Sequence, residues 1–190
     1  MSAAAQDSEA IKAKFGDAVV DTVAFRGEHT CEVSLSALKD VLQHARDELG
    51  YDFLLDISSL DHFGKDPRFE MVYELATVDD SKHLRIRAKV GEDEKVPSVV
   101  SIWAGADWHE REVYDMMGIG FEDHPDLRRI LMWEGYPFHP LRKDFPLAGR
   151  PSEMPDVAFT GVAPLEGGPF VTSPGAGNPV TREPRSREID

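Results

Sequence analysis

Two stretches of sequence, Phe69-Glu70-Met71-Val72-Tyr73-Glu74-Leu75 and Leu84-Arg85-Ile86-Arg87-Ala88-Lys89-Val90, decide the fold class of this chain. In the first stretch every odd-numbered residue is apolar. In the second every even-numbered residue is apolar and every odd-numbered internal residue is basic. Because successive side chains of a strand point to opposite faces of a sheet, this alternation predicts two strands with one buried face each.

The spacing of the two stretches predicts an antiparallel hairpin with a two-residue loop at Asp80-Ser81. On the polar face Glu74 would lie opposite Arg87, where we expect a solvated ion pair worth under about 1 kcal/mol. On the apolar face the predicted register pairs Leu75 with Ile86, Tyr73 with Ala88, and Met71 with Val90. The hairpin therefore has one face for a core and one that meets water or a partner.

Helices and further strands are predicted on both sides of this hairpin. The second helix has apolar residues at i, i+3, i+4, i+7 and i+11, can be capped by Ser34 or Ser36, and can end at Gly50. In chain order the predicted elements are a helix at Ser8–Phe15, strands at Val19–Phe25 and Cys31–Leu35, the helix through Leu38, Val41, Leu42, Ala45 and Leu49, a buried strand at Phe53–Ile57, the hairpin, a strand at Val99–Trp103, and a helix from Asp107 to Met117.

This order of elements predicts an α+β fold, with helices packed in two layers on a mixed, mostly antiparallel sheet. In the last helix Asp107 and Glu110 have the spacing of a capping box, and Gly118 would end the helix. The side chains of Val113, Met116 and Met117 would face the core.

Composition changes at about residue 150. Residues 151–190 contain seven prolines and five glycines, and their apolar residues follow no period. Such a segment buries too little apolar area to offset its ordering entropy alone. The sequence therefore predicts a globular domain over residues 1–150 and an extended tail over residues 151–190, which is disordered or ordered by a partner.

Charge and cysteine content exclude several functional classes. The 190 residues carry a formal net charge of −14, which disfavours nucleic acid and anionic lipid as partners. With the single cysteine Cys31, the chain can form no internal disulfide and offers one thiolate, too few to hold an iron–sulfur cluster. No apolar run approaches the ~20 residues that span a bilayer, and we expect no signal peptide at the N-terminus.

The densest polar cluster lies on the last predicted helix, and it predicts no catalytic or metal site. His109, His124 and His139 are 15 residues apart, which is not a chelating spacing. Arg111 and Asp115 are four residues apart and are expected to pair on one helix face. The segment that follows is rich in arginine, aromatic residues and proline, which is typical of protein interfaces.

The sequence from Glu110 to Ile119 resembles the signature of the thirty-kilodalton subunit family of respiratory complex I. The similarity continues in order through Phe121, His124-Pro125 and Leu127-Arg128-Arg129-Ile130-Leu131. It closes with His139-Pro140-Leu141-Arg142-Lys143-Asp144-Phe145-Pro146, so that about 40 residues match densely.

This resemblance implies a subunit of the hydrophilic arm of the proton-translocating NADH:quinone oxidoreductase. That complex transfers electrons from NADH through FMN and iron–sulfur clusters to quinone. This chain would hold no cofactor, metal or catalytic residue. It would dock on the large quinone-site subunit and on neighbouring iron–sulfur subunits, as a peripheral protein on the cytoplasmic side of the cell (inner) membrane. The interface residues expected from it are Glu110, Arg111, Asp115, His124, Arg128, Arg129, His139, Arg142, Lys143 and Asp144.

Three alternatives stay open. The chain could be the equivalent subunit of a related membrane-bound hydrogenase or of another quinone or ferredoxin dehydrogenase. It could be a stand-alone enzyme that uses His109, His124 or Asp115 as acid or base, although no spacing brings these groups together. It could also be a free adaptor that binds a partner through its tail.

Overall fold

The computed structural model describes residues 3–79 and 81–146 of the chain. The chain divides into two compact units, residues 1–143 and 144–190, and the fold below belongs to the first. The predicted tail at 151–190 lies outside the described residues. In chain order the helices and strands are α1 (Ala3–Phe15), β1 (Val19–Phe25), β2 (Glu28–Val33), α2 (Leu38–Asp47), β3 (Phe53–Asp61), β4 (Phe69–Ala76), β5 (His83–Val90), β6 (Lys95–Pro97), α3 (Ala106–Met117) and β7 (Gly120–Glu122).

The predicted α+β class is confirmed. Five strands form a sheet in the order β1-β2-β5-β4-β3, in which β2 and β5 are parallel and the other neighbours are antiparallel. A second sheet pairs β6 with β7. Arg26 and Gly27 both have positive φ, so the turn between β1 and β2 is of the type that suits a two-residue hairpin.

The core lies on the predicted apolar face of the sheet. Cys31 pairs with Ile86, and Ile86 pairs with Tyr73, so three adjacent strands bury their side chains on the same side. The hydroxyl of Ser8 on α1 lies 3.2 Å from the Cys31 sulfur on this face. The apolar stripe of α2 and the predicted core residues Val113, Met116 and Met117 of α3 join the same cluster.

The predicted hairpin register is wrong by two residues. Tyr73 lies opposite Ile86 and Glu74 opposite Arg85, because the strands join through residues 77–82 and not through two residues. The hydroxyl of Thr77 accepts the amides of Ser81 and Lys82, both at 3.2 Å, and this closes a longer loop. A shift of two preserves the parity of each strand, so the buried face is the predicted one.

Two predicted strands also differ from the structure. Residues 99–103 form a turn, in which the amides of Ile102 and Trp103 both donate to the Val99 carbonyl. β3 runs on to Asp61 and is an edge strand, so it is not fully buried; Phe53 and Leu55 are exposed.

Smaller corrections concern the ends of elements. α1 begins five residues earlier than predicted, at Ala3, and β2 covers 28–33 where 31–35 was predicted. A short 3-10 helix, Leu35–Ala37, precedes α2, so neither Ser34 nor Ser36 caps it with a side-chain hydrogen bond. Gly50 and Gly118, the two predicted helix ends, both take positive φ.

Candidate functional site

The segment of residues 124–143, called here the arginine segment, contains no helix or strand within its described length and is nevertheless firmly held by α3. Its central contact is Asp115, which is fully buried. One carboxylate oxygen of Asp115 accepts the amides of Ile130, Leu131 and Met132 at 3.0, 2.7 and 2.8 Å. The other accepts the guanidinium of Arg129 at 2.5 Å. One side chain thus fixes four consecutive residues of the segment.

The surroundings of Asp115 favour its charged form. Burial by itself raises the pKa of this carboxyl, but the hydrogen bonds from the Met132 and Leu131 amides and from Arg129 outweigh that cost and leave the pKa below its ordinary value. A carboxylate that accepts several backbone amides is stabilised in this way. Asp115 therefore serves as a charged structural anchor and is unsuited to a proton-transfer role near neutral pH.

Arginines of α3 and of the segment bind backbone carbonyls in both directions. Arg111 donates to the carbonyl oxygens of Arg128 and Arg129 at 3.2 and 3.3 Å. Arg129 donates to the Asp115 carbonyl at 3.1 Å, and His139 Nδ1 lies 3.0 Å from the same oxygen. The predicted Arg111–Asp115 pair on the helix surface is not formed, because Asp115 turns to Arg129 and Arg111 turns to the segment backbone.

Gly118 allows the segment to return close to the end of α3. Its φ is +73°, and a Cβ built on it would lie 2.6 Å from the side chains of both Arg142 and His139. Arg142 donates to the Met117 carbonyl at 2.6 Å, and the Leu141 amide donates to the Met116 carbonyl at 3.1 Å. The residue that ends the helix therefore also provides the space in which the segment packs.

A second buried carboxylate, Asp61 at the end of β3, holds the far end of the segment. Arg68 binds both of its oxygens, at 2.9 and 3.0 Å, and the Lys143 amide donates to one of them at 2.8 Å. The hydrogen bond from Arg68, aided by the Lys143 amide and opposed by burial, lowers the pKa of Asp61. Sequence reasoning missed Asp61 and Arg68, whose only sequence signal is their position at the ends of two paired strands.

The start of α3 carries a different polar cluster. Glu110 is fully buried, and one of its oxygens accepts the Val99 amide at 2.7 Å. It therefore caps backbone as the sequence predicts, but at the turn preceding the helix and not at Asp107, because the helix begins at Ala106 after Gly105. Its other oxygen has no hydrogen-bond partner among the described residues and lies 3.8 Å from His124 Nε2. Burial raises the pKa of Glu110.

His124 is also completely buried as a side chain. Its Nδ1 accepts the Asp126 amide at 3.0 Å, so Nε2 is the nitrogen that carries the proton. That nitrogen lies 3.3 Å from the Asp107 carboxylate. His109, by contrast, pairs with Asp56 of β3 at 3.1 Å, so the three histidines serve three separate contacts.

The structure thus brings most of the predicted interface residues together, but it uses them inside the chain. Glu110, Arg111 and Asp115 are buried, and the side chains of Arg129 and Arg142 are 14% and 19% exposed. Their contact with a partner stays a prediction. Lys143 is exposed, the exposed Arg128 pairs with Asp126 at 2.9 Å, and Asp144 belongs to the second unit. The sequence reasoning did not single out the exposed apolar side chains Trp108, Leu131 and Leu141, which stand around the same segment.

No group of three or more metal-ligating side chains comes together within residues 3–79 and 81–146. The single cysteine, Cys31, is fully buried in the core, and burial raises the pKa of its thiol. The surroundings of this thiol fit neither a metal-bound thiolate nor an exposed nucleophile. The arrangement fits a shaped and rigid surface better than a catalytic site.

Comparison with known proteins gives a consistent result. Residues 31–151 match the family model "Respiratory-chain NADH dehydrogenase, 30 Kd subunit". The chain is 44% identical over 140 residues to an NADH-quinone oxidoreductase subunit of Citrifermentans bemidjiense, and the match covers 73% of this chain and 87% of that protein. It is 41% identical over 159 residues to the equally named subunit of Rhizobium meliloti, over 83% and 87% of the two chains.

Among solved structures, a chain of the membrane-bound sulfane sulfur reductase, an archaeal respiratory membrane complex, has the same fold. The TM-score is 0.65 at 22% sequence identity, and the match covers 75% of this chain and 85% of that one.

Proposed function

This chain belongs to the family of the 30 Kd subunit of respiratory-chain NADH dehydrogenase, and from that premise we propose that it is a structural subunit of an NADH:quinone oxidoreductase. In this role it docks on the large quinone-site subunit and on neighbouring iron–sulfur subunits of the peripheral arm. The parent complex carries electrons from NADH to quinone, coupled to proton translocation. The chain performs no chemical step itself.

The observation that carries this proposal is the way the arginine segment is built. Two buried carboxylates, Asp115 and Asp61, direct their hydrogen bonds to a segment that has no regular structure and thereby fix it. That fixed backbone presents exposed side chains, among them Leu131 and Leu141, which are 59% and 61% exposed. A preorganised surface with apolar anchors is what tight association requires, because little ordering entropy is lost on binding.

The cofactor assignment follows from the donor set of the chain. An iron–sulfur cluster takes several thiolates, and the one cysteine of this sequence lies in the core against Ser8. These residues do not fit a cluster. We therefore assign the FMN and the clusters of the parent complex to its other subunits.

Membrane association is proposed to be peripheral. No helix in the described parts of the chain is long and apolar enough to cross a membrane. In the proposed complex this protein reaches the cytoplasmic side of the cell (inner) membrane through its partners.

The first test is a native gel of mildly solubilised membranes, probed for this chain and stained for NADH–dye reductase activity. The proposal predicts that both signals migrate in one large band. A large band without NADH activity would assign the chain to a related hydrogenase or other dehydrogenase, and migration as a small free protein would reject the subunit role.

A variant pair tests whether the arginine segment makes the contact. Leu131→Asp should remove the chain from the large band, because it places a charge at an apolar anchor. Val78→Asp is the matched control, since Val78 is 74% exposed on the loop between β4 and β5. The non-catalytic assignment has its own test: alanine at Arg142 and Asp144 should disturb assembly, and intact assembly without electron transfer would contradict it.

A further inference from the structure

The open edge of β3 offers a binding surface that the arginine segment does not use. In the described sheet β3 is the last strand and pairs with β4 on one side. The His62 amide, just past β3, donates to the Arg68 carbonyl at 2.8 Å. In an antiparallel pair the inward-facing residues alternate, so the residues of even number in this stretch bond to β4. The amides and carbonyls of Ile57 and Ser59 therefore point away from the sheet.

A groove runs along this edge, between β3 and α3. Its volume is about 460 Å³, and it is lined by residues 56–62 of the β3 edge and by side chains of α3 that include Val113 and Met116, with Leu141 and Lys143 at its side. Seven residues of strand correspond to roughly 20 Å of edge, which is room for an extended segment of about six residues. The Lys143 amide meets the edge at Asp61, where the carboxylate accepts it.

Apolar side chains extend beyond the groove on the same strand. Phe53, Leu55 and Leu60 are 48%, 41% and 47% exposed, and Phe63 just past the strand is 58% exposed. An unpaired strand with exposed apolar side chains is a template for pairing with another chain, and soluble proteins normally protect such edges. The edge and the groove together are suited to strand addition, in which backbone hydrogen bonds supply affinity and side-chain pockets supply selectivity.

Charge indicates what kind of segment would bind. Asp56 and the exposed Glu112 bring carboxylates to the groove from its two sides, and Asp56 has His109 as its partner. The chain as a whole carries a net charge of −14. An occupant that reduces this repulsion carries lysine or arginine next to its apolar residues.

We propose that the β3 edge and its groove bind an extended segment of a neighbouring subunit, in which apolar residues alternate with lysine or arginine, as an added strand of this sheet. This inference rests on the proposed function, because the added strand comes from the same complex. It goes further by assigning a contact separate from the arginine segment and by stating the conformation and charge of the partner.

Site-specific photocrosslinking in the purified complex tests the proposal. p-Benzoylphenylalanine is placed at Leu60 on β3 and, as a control, at Val23 on the opposite edge strand β1, which is similarly exposed at 42%. Mass spectrometry of the digested product identifies the captured peptide. We expect Leu60 to capture one segment of a neighbouring subunit with the stated alternation, and Val23 not to capture it.

Three results would overturn the proposal while leaving the subunit role intact. These are capture of residues 147–190 of this chain, capture of lipid, and no capture in a complex that still contains the chain and reduces dye with NADH. If the chain is absent from the complex, the proposed function fails as well, so the two failures are distinguishable.

A charge variant and an exchange measurement support the same test without relying on crosslinking. Glu112→Lys should raise the dissociation rate of the chain from the complex about tenfold, whereas Glu9→Lys, the same change at an exposed position of α1, should not. In the intact complex the outward amides of Ile57 and Ser59 should exchange hydrogen about tenfold more slowly than the outward amide of Ala24 on β1. Equal rates in both comparisons would contradict strand addition.

Discussion

The five-stranded sheet buries apolar side chains, whereas the arginine segment is held by buried charged ones. In the sheet, residues such as Tyr73 and Ile86 lie opposite each other with no exposed surface, and their order follows from the hydrophobic effect. In the segment, order comes from Asp115 and Asp61, whose oxygens are saturated with backbone amides and guanidinium groups. The first mechanism tolerates similar side chains, and the second depends on single atoms.

The largest difference is expected for Asp115→Ala. The variant leaves the amides of residues 130–132 and the Arg129 guanidinium without their acceptor in a buried place, so we expect a loss of about 3–5 kcal/mol in unfolding free energy. Asp126→Ala is the matched control in the same segment, because Asp126 pairs with Arg128 in an exposed ion pair worth about 0–1 kcal/mol. Denaturant unfolding of the full chain measures both. Equal losses would show that the segment is not anchored by Asp115.

A pair of glycines separates backbone strain from packing. Gly50 and Gly118 both end helices at positive φ, +80° and +73°, but a Cβ at Gly50 meets nothing within 4 Å. Gly50→Ala should therefore cost about 1–2 kcal/mol from strain alone. Gly118→Ala should cost about 2–4 kcal/mol, because the new methyl group also displaces Arg142 and His139 and breaks their hydrogen bonds. The comparison is made by thermal unfolding; equal costs would contradict the packing role of Gly118.

The two buried carboxylates of α3 should respond to pH in opposite ways. The lowered pKa of Asp115 gives stability that is present above its unfolded value, about pH 4, and is lost as pH falls further. The pKa of Glu110 is raised by burial, so its charged form becomes a cost as pH rises above about 4.

Glu110→Gln keeps an acceptor for the Val99 amide and removes the buried charge. It should stabilise the chain by about 1 kcal/mol at pH 7 and by close to nothing at pH 3. Unfolding curves at the two pH values measure the difference. A stabilisation of the same size at both would show that Glu110 is already neutral at pH 7.

The smallest effect is expected on the polar face of the sheet. Glu74 and Arg85 form an ion pair whose side chains are 29% and 34% exposed. A double-mutant cycle with alanine at both positions should give a coupling energy below about 1 kcal/mol, which falls further with added salt. A coupling energy near that expected for the buried Asp115 contacts would remove the distinction between the two regions.

The sequence predicts the sheet well because periodicity depends on neighbouring residues. The alternation in residues 69–75 and 84–90 correctly predicts the buried face, but the register depends on the Thr77 hydroxyl, which closes the loop early and has no periodic signal. Residues 99–103 show the limit of this reasoning. Val99, Ile102 and Trp103 are buried in a turn, where a short apolar run looks like a strand.

The site was located from sequence, but its bonds could not be predicted. Spacing along a helix suggests Arg111 as the partner of Asp115, whereas the actual partner, Arg129, is 14 residues away. The remaining partners of Asp115 are backbone amides, which every residue except proline possesses, so side-chain identity carries no information about them. Family resemblance identified the segment, and only the three-dimensional arrangement shows that its charged residues face inward.

The parallel pairing of β2 with β5 has a consequence for the order of folding. β3, β4 and β5 follow one another along the chain, whereas Val33 must wait for Ala88 before it can pair. Contacts between residues so distant in sequence form slowly, because a long loop must close first. During synthesis the β1–β2 hairpin emerges with one edge unsatisfied until β5 has left the ribosome. We therefore expect a φ-value near zero for Val33→Ala and a higher one for Leu75→Ala, so that the sheet is completed at its parallel seam.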